Sequence, residues 1–143
     1  MENSIQSKEV EAIKSYIKRA KQTLESAKFN LDANDLLTAQ NRIYYACFYI
    51  VKPISLLDNF ITSKHKVLLD WFNKKYIHDD KIFQASLFKI YKKAFDSREK
   101  ADYSISVIFT KDEAIENYNN IKFFVETMEK YILERIESMI IEN

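Results

Sequence analysis

Apolar side chains recur along most of this chain at intervals of three and four, the spacing that gathers them on one face of an α-helix. Ile13, Ile17, Ala20, Leu24, Ala27 and Leu31 form one narrow stripe, with Lys14, Lys18, Lys21 and Lys28 lying off it toward water. That pattern predicts a first helix from about Ser7 to Leu31. The run Asp32-Ala33-Asn34-Asp35 breaks it, and Asp35 suits the N-cap of the next helix because its carboxylate can accept from the free amides of the first turn. From Asn41 to Lys52 nearly every position is apolar or aromatic, which fits a helix in the middle of a bundle. A second stripe runs through it: Asn41 or Arg42, then Tyr45, Tyr49 and Lys52, one face suited to a cleft or to a second subunit. Ile50, Ile54, Leu57 and Ile61 hold the period across Pro53. The helix is therefore expected to reach about Phe60, with a bend where the proline removes the bond to the Tyr49 carbonyl.

Ser63 reads as the cap of a shorter helix, Lys64 to about Tyr76, that buries Val67, Leu68, Trp71 and Phe72. After His78, Asp79 or Asp80 is the expected cap of a fourth helix with Phe83, Leu87, Ile90, Tyr91 and Ala94 inward. Arg98 continues that inward stripe, and an arginine turned inward costs several kcal/mol of desolvation unless it is paired or bound to an anion. Ser104 to Thr110 has no helical period and reads as a loop. Thr110 or Asp112 caps a last long helix, whose stripe Ile121, Phe124, Val125, Met128, Ile132, Ile136 and Met139 overruns the length expected of the bundle. No repeat or second domain interrupts the pattern, so residues 1–143 read as a single all-α domain.

Composition sharpens this picture. With no glycine and one proline, turns that need a positive φ are almost excluded, which favours long helices joined by short polar links. The one cysteine, Cys47, falls within the central apolar run and reads as a small buried hydrophobe, consistent with a reducing compartment. No stretch approaches a membrane span and the start lacks a signal-peptide layout, so the expected location is the cytoplasm, away from any membrane. The net charge of +1 hides a split: residues 64–100 carry 10 basic and 5 acidic groups, and residues 101–143 carry 4 and 9. The basic quarter suits either a phosphate-binding patch or a solvated lysine face.

The inventory excludes several chemistries. Two histidines, His65 and His78, give no spacing for a zinc or di-iron site, and no glycine-rich phosphate loop exists, so neither metal nor cofactor is expected. What remains is Asp96-Ser97-Arg98-Glu99-Lys100-Ala101-Asp102-Tyr103-Ser104. Here Arg98 can hold a phosphate through its fork of donors, and Tyr103 can hydrogen-bond to or stack on a base. Alternatively Arg98 pairs with Asp102 and fastens helix to loop; spacing leaves both open.

Three ordered motifs carry a family resemblance. Asn41-Arg42-Ile43-Tyr44-Tyr45-Ala46-Cys47-Phe48, the turn Ser63-Lys64-His65-Lys66, and Arg98-Glu99-Lys100-Ala101-Asp102-Tyr103 resemble the HEPN family of small helical bundles. The resemblance implies a four- to five-helix up-and-down bundle that forms a homodimer with a shared cleft. Many HEPN proteins are metal-independent ribonucleases, acting as toxins beside a nucleotidyltransferase-like antitoxin or in phage defence. It implies an RNA or nucleotide site in which Arg98, Asp102 and Tyr103 do the chemistry and Asn41, Arg42, Tyr45, His65 and Lys66 bind. One departure matters. The family's nuclease motif has a histidine four to six places after the arginine, and Tyr103 stands there instead. With a pKa of about 10, a tyrosine is ionised in roughly one part per thousand at pH 7, a poor general base. A second role is therefore kept beside the first: an interaction partner of a nucleotidyltransferase, in which the Arg98 network fastens the bundle and Tyr103 is a target for modification.

Overall fold

The computed structural model describes residues 6–103 and 109–141, with the side chains of Tyr103 and Ile141 outside the described set. Five α-helices account for most of them: α1 (Ser7–Asp32), α2 (Leu36–Leu57), α3 (His65–Phe72), α4 (Ala85–Tyr103) and α5 (Lys111–Ile141). A π-helical segment, Asn73–Asp79, continues α3. Among the described residues there is no strand, and no helix is long and apolar enough to cross a membrane. This is the all-α bundle that the periodicity predicts.

Helix α2 is its axis. It packs on α1, α4 and α5, and buries Ile43, Tyr44, Ala46, Cys47, Ile50, Val51 and Ile54 completely. Its side-chain contacts also fix the direction of its neighbours. Gln40 meets Asn117 and Asp58 meets Arg135, so α2 and α5 run parallel. Lys111 meets Asn34 and Lys21 meets Glu129, so α1 runs against α5. The result is an up-and-down arrangement of four long helices, with α3 and the π segment as the crossover. Asp35 caps α2 by accepting from the Thr38 amide, and Thr110 caps α5 by accepting from the Glu113 amide, both as expected.

Several local expectations fail for identifiable reasons. Positive φ is not excluded: Asn34, Asn59 and Lys81 take it at 61°, 57° and 50°. The two asparagines follow α1 and α2, where the Asp35 and Phe60 amides reach back to the Asn30 and Ser55 carbonyls and close the helix end, the role glycine usually fills. Consequently α2 stops at Leu57 rather than Phe60, and Ile61 is exposed although it keeps the helical period. The helix does run unbroken through Pro53. Ser63 does not cap α3; Lys64 occupies the cap position, with its amide donating to Thr62 Oγ1. Val67 faces solvent. Asp79 and Asp80 do not cap α4 either: they close the π segment, where they pair with Lys74 and Lys75, and α4 begins only at Ala85. Of the expected loop, residues 104–108 lie outside the described residues.

Candidate functional site

One face of α2 remains partly open where the C-terminal half of α4 and the start of α3 meet it. Arg98, on α4, reaches this face with its side chain only 17% exposed. Its guanidinium carbon lies 5.5 Å from the ring centre of Tyr44 and 5.6 Å from that of Tyr45, and Nη2 donates to the Tyr45 hydroxyl at 3.4 Å. Nε lies 2.8 Å from Asp102 Oδ2, one turn along α4. That contact pairs the charges without the alignment of a hydrogen bond. The inward arginine predicted from the stripe is thus present, and among the described residues its charge is answered by the Asp102 carboxylate.

Basic groups surround it. Arg42 lies over the other candidate ring, 5.1 Å from the centre of Tyr45, and is held there by two hydrogen bonds to Asn41 Oδ1 at 2.7 and 3.1 Å. Lys52 lies 5.9 Å from the Phe48 ring centre and donates to the Thr62 carbonyl; burial holds its pKa below the usual lysine value. Arg19 of α1, not singled out by the sequence, lies 4.8 Å from the ring centre of Tyr49. Cations over half-buried aromatic rings therefore line this face of α2 from Arg42 to Lys52. Such a surface attracts phosphate and offers π-faces to bases.

His65, the first residue of α3, closes the site. Its ring stacks on Phe48 at 4.2 Å, nearly parallel at 6°, and its Nδ1 lies 2.7 Å from the hydroxyl of Tyr44. Burial lowers the histidine pKa, and the charges of Arg98 and Lys52 lower it further. All three effects favour the uncharged ring. Tyr44 is fully buried, and burial raises its phenol pKa far above the ordinary value.

Of the residues singled out in the sequence, Asn41, Arg42, Tyr45, His65, Arg98 and Asp102 come together here. Lys66 turns instead to Asp70, in an exposed pair along α3. The backbone of Tyr103 ends α4, but its side chain lies outside the described residues. Cys47 is buried, and burial pushes its thiol pKa up, as its place in the apolar run implies. Tyr44, which the sequence did not single out, supplies the buried phenol that meets His65. Its position reads as core, and only the demand of a buried phenol for a partner, in a chain with two histidines, hinted otherwise.

Fold and site together define a class: an α-helical bundle whose half-buried arginine meets an aromatic, basic face of its central helix. The chain belongs to the HEPN domain family, whose profile matches residues 13–131. It is 33% identical to the UPF0332 protein of Thermotoga maritima over 115 residues, 80% of this chain and 86% of that one. Two proteins of Methanocaldococcus jannaschii that carry the name putative toxin are 29% and 27% identical to it. Those matches cover 83% and 87% of this chain, and 80% and 91% of the relatives.

Proposed function

We propose that this chain is a single-domain HEPN toxin that binds RNA at the Arg98 face, works in the cytoplasm as a homodimer, and is countered by a nucleotidyltransferase-like antitoxin. The toxin names of two relatives support the biological setting. The observation that carries the RNA reading is Arg98 itself: a charge mostly withdrawn from water, beside two phenol rings and sharing Tyr45 with Arg42, with one carboxylate to answer it among the described residues. Desolvating that much positive charge is worthwhile where an anion completes it. In this reading Arg98 grips a phosphate, Asp102 orients Arg98, and Tyr103 stacks on a base. Asn41 steers Arg42 toward the backbone. RNA cleavage, where the toxin performs it, is metal-independent.

The test is titration of a labelled oligoribonucleotide with wild type and Arg98→Ala, alongside total RNA incubated in EDTA. Arg98→Ala is expected to bind at least about tenfold more weakly, as loss of a charge-assisted contact implies, with its helical circular dichroism retained. Equal binding by a folded Arg98→Ala variant would favour the second reading. The 2.8 Å pair with Asp102 would then serve to fasten α4, and the chain would act through protein contacts.

A further inference from the structure

Tyr44 and His65 meet at 2.7 Å, and the proton between them can lie only one of two ways in the neutral pair. If the phenol donates to Nδ1, both buried polar groups are satisfied and the imidazole proton sits on Nε2. If Nδ1–H donates to the phenol oxygen, the hydroxyl hydrogen of a fully buried tyrosine is left without an acceptor among the described residues. Burial without a partner is the costlier state, so the first arrangement prevails. Nε2 is then the nitrogen turned away from Tyr44, on a ring that is only partly buried. The stack on Phe48 holds the ring in that orientation.

The ring's neighbours decide what such a nitrogen can do. His65 and Arg98 flank the same two rings: the imidazole centre is 5.6 Å from that of Tyr44 and 5.7 Å from that of Tyr45, and the guanidinium sits at 5.5 and 5.6 Å. Among the described residues, the titratable and charged groups facing the imidazole are Tyr44, Tyr45 and Lys52 from α2 and Arg98 from α4. Two of them are cations, which oppose a further positive charge.

We propose that Tyr44 locks His65 in the tautomer protonated at Nε2, making it a fixed, uncharged donor to a phosphate oxygen of the strand gripped by Arg98. This rests on the RNA reading above and assigns Tyr44 as a positioning residue that touches no ligand. It also means that His65 does not replace the general base absent after Arg98, because an Nε2 that already carries a proton cannot accept one. A neutral donor adds to phosphate binding without requiring acid, so binding persists through neutral pH.

Long-range proton–nitrogen correlation spectra of the histidine side chains in the full chain test the lock directly, since protonated and bare ring nitrogens resonate far apart. In wild type at pH 7.5, His65 should show a protonated Nε2 and a bare Nδ1; Tyr44→Phe should show a mixture. In oligoribonucleotide titrations, His65→Gln, which keeps a donor near the Nε2 position, should bind within about threefold of wild type, and His65→Leu should bind roughly five- to tenfold more weakly, the worth of one hydrogen bond. A bare Nε2 in wild type, or wild-type affinity in folded His65→Leu, overturns the donor assignment even if Arg98→Ala abolishes binding. Wild-type affinity in folded Arg98→Ala overturns the RNA reading and the phosphate contact with it, whatever the nitrogens show.

Discussion

Protonating His65 would set a third positive charge beside Arg98 and Lys52 in a half-buried place, so the folded state resists it. The unfolded chain, with an ordinary histidine pKa of about 6.5, does not. As pH falls through that value the unfolded state takes the proton first, and folding loses stability until the lower folded-state pKa is passed. The contribution is therefore complete above about pH 6.5 and declines on acidification. Urea midpoints measured at pH 7.5 and 5.5 should separate more for wild type than for His65→Gln, which has no proton to gain. Arg135 presents the opposite case. Burial opposes its charge, but Asp58, Tyr76 and Tyr131 outweigh burial and raise its pKa. Its Nη1 donates to the Tyr76 hydroxyl at 2.9 Å, and Asp58, with a side chain 11% exposed, takes both the guanidinium and the phenol. Among the described residues, removing the cation leaves a nearly buried carboxylate with only the phenol to answer it. Arg135→Ala should therefore cost about 2–4 kcal/mol by urea unfolding, far more than loss of the exposed Lys66–Asp70 pair.

At the scale of elements, what the sequence reveals is what repeats. The stripes of α1 and α5 are found buried where the intervals of three and four place them, with Met139 partly buried at the end of its row. Arg98 was legible for the same reason, as a charge in an apolar row. The ends of elements were not legible, because they turn on single hydrogen bonds that other elements decide. The π segment is such a case. Phe72, just before this segment, and Tyr76, within it, stack at 5.5 Å in the core, and the Tyr76 hydroxyl donates to Asp58. No local propensity encodes a partner on α2. The turn after it is closed by Lys81 at φ 50°, where a side chain is crowded by its own backbone. Lys81→Gly should therefore stabilise the fold by up to about 1 kcal/mol. Asn59→Ala, at φ 57°, should lose about 1 kcal/mol in the same urea assay because alanine lacks asparagine's tolerance of that region.

For the whole molecule, the consequence of this packing is that one edge of the central helix stays open and carries charge. Arg19, Arg42, Lys52 and Arg98 come from three helices, yet converge on the rings of Tyr44, Tyr45, Phe48 and Tyr49. With a net charge of only +1, the protein has little long-range pull on a polyanion, so its attraction for RNA should reside in this local cluster. Each phosphate neutralised on a single strand lowers the slope of log K against log salt by about 0.7. If the four cations engage three or four phosphates, that slope should be roughly −2 to −3 between 50 and 200 mM salt. Removing a phosphate contact should flatten it by about 0.7. Arg42→Gln and Lys52→Met are therefore expected each to flatten the slope by that amount, while Lys28→Gln should leave it unchanged because Lys28 pairs with Asp32 on the far side of α1's buried stripe. Equal flattening by all three would mean that the RNA follows diffuse charge on the helix surfaces rather than the face around Arg98. That outcome would separate a mere basic coat from a site built by the meeting of α1, α2 and α4.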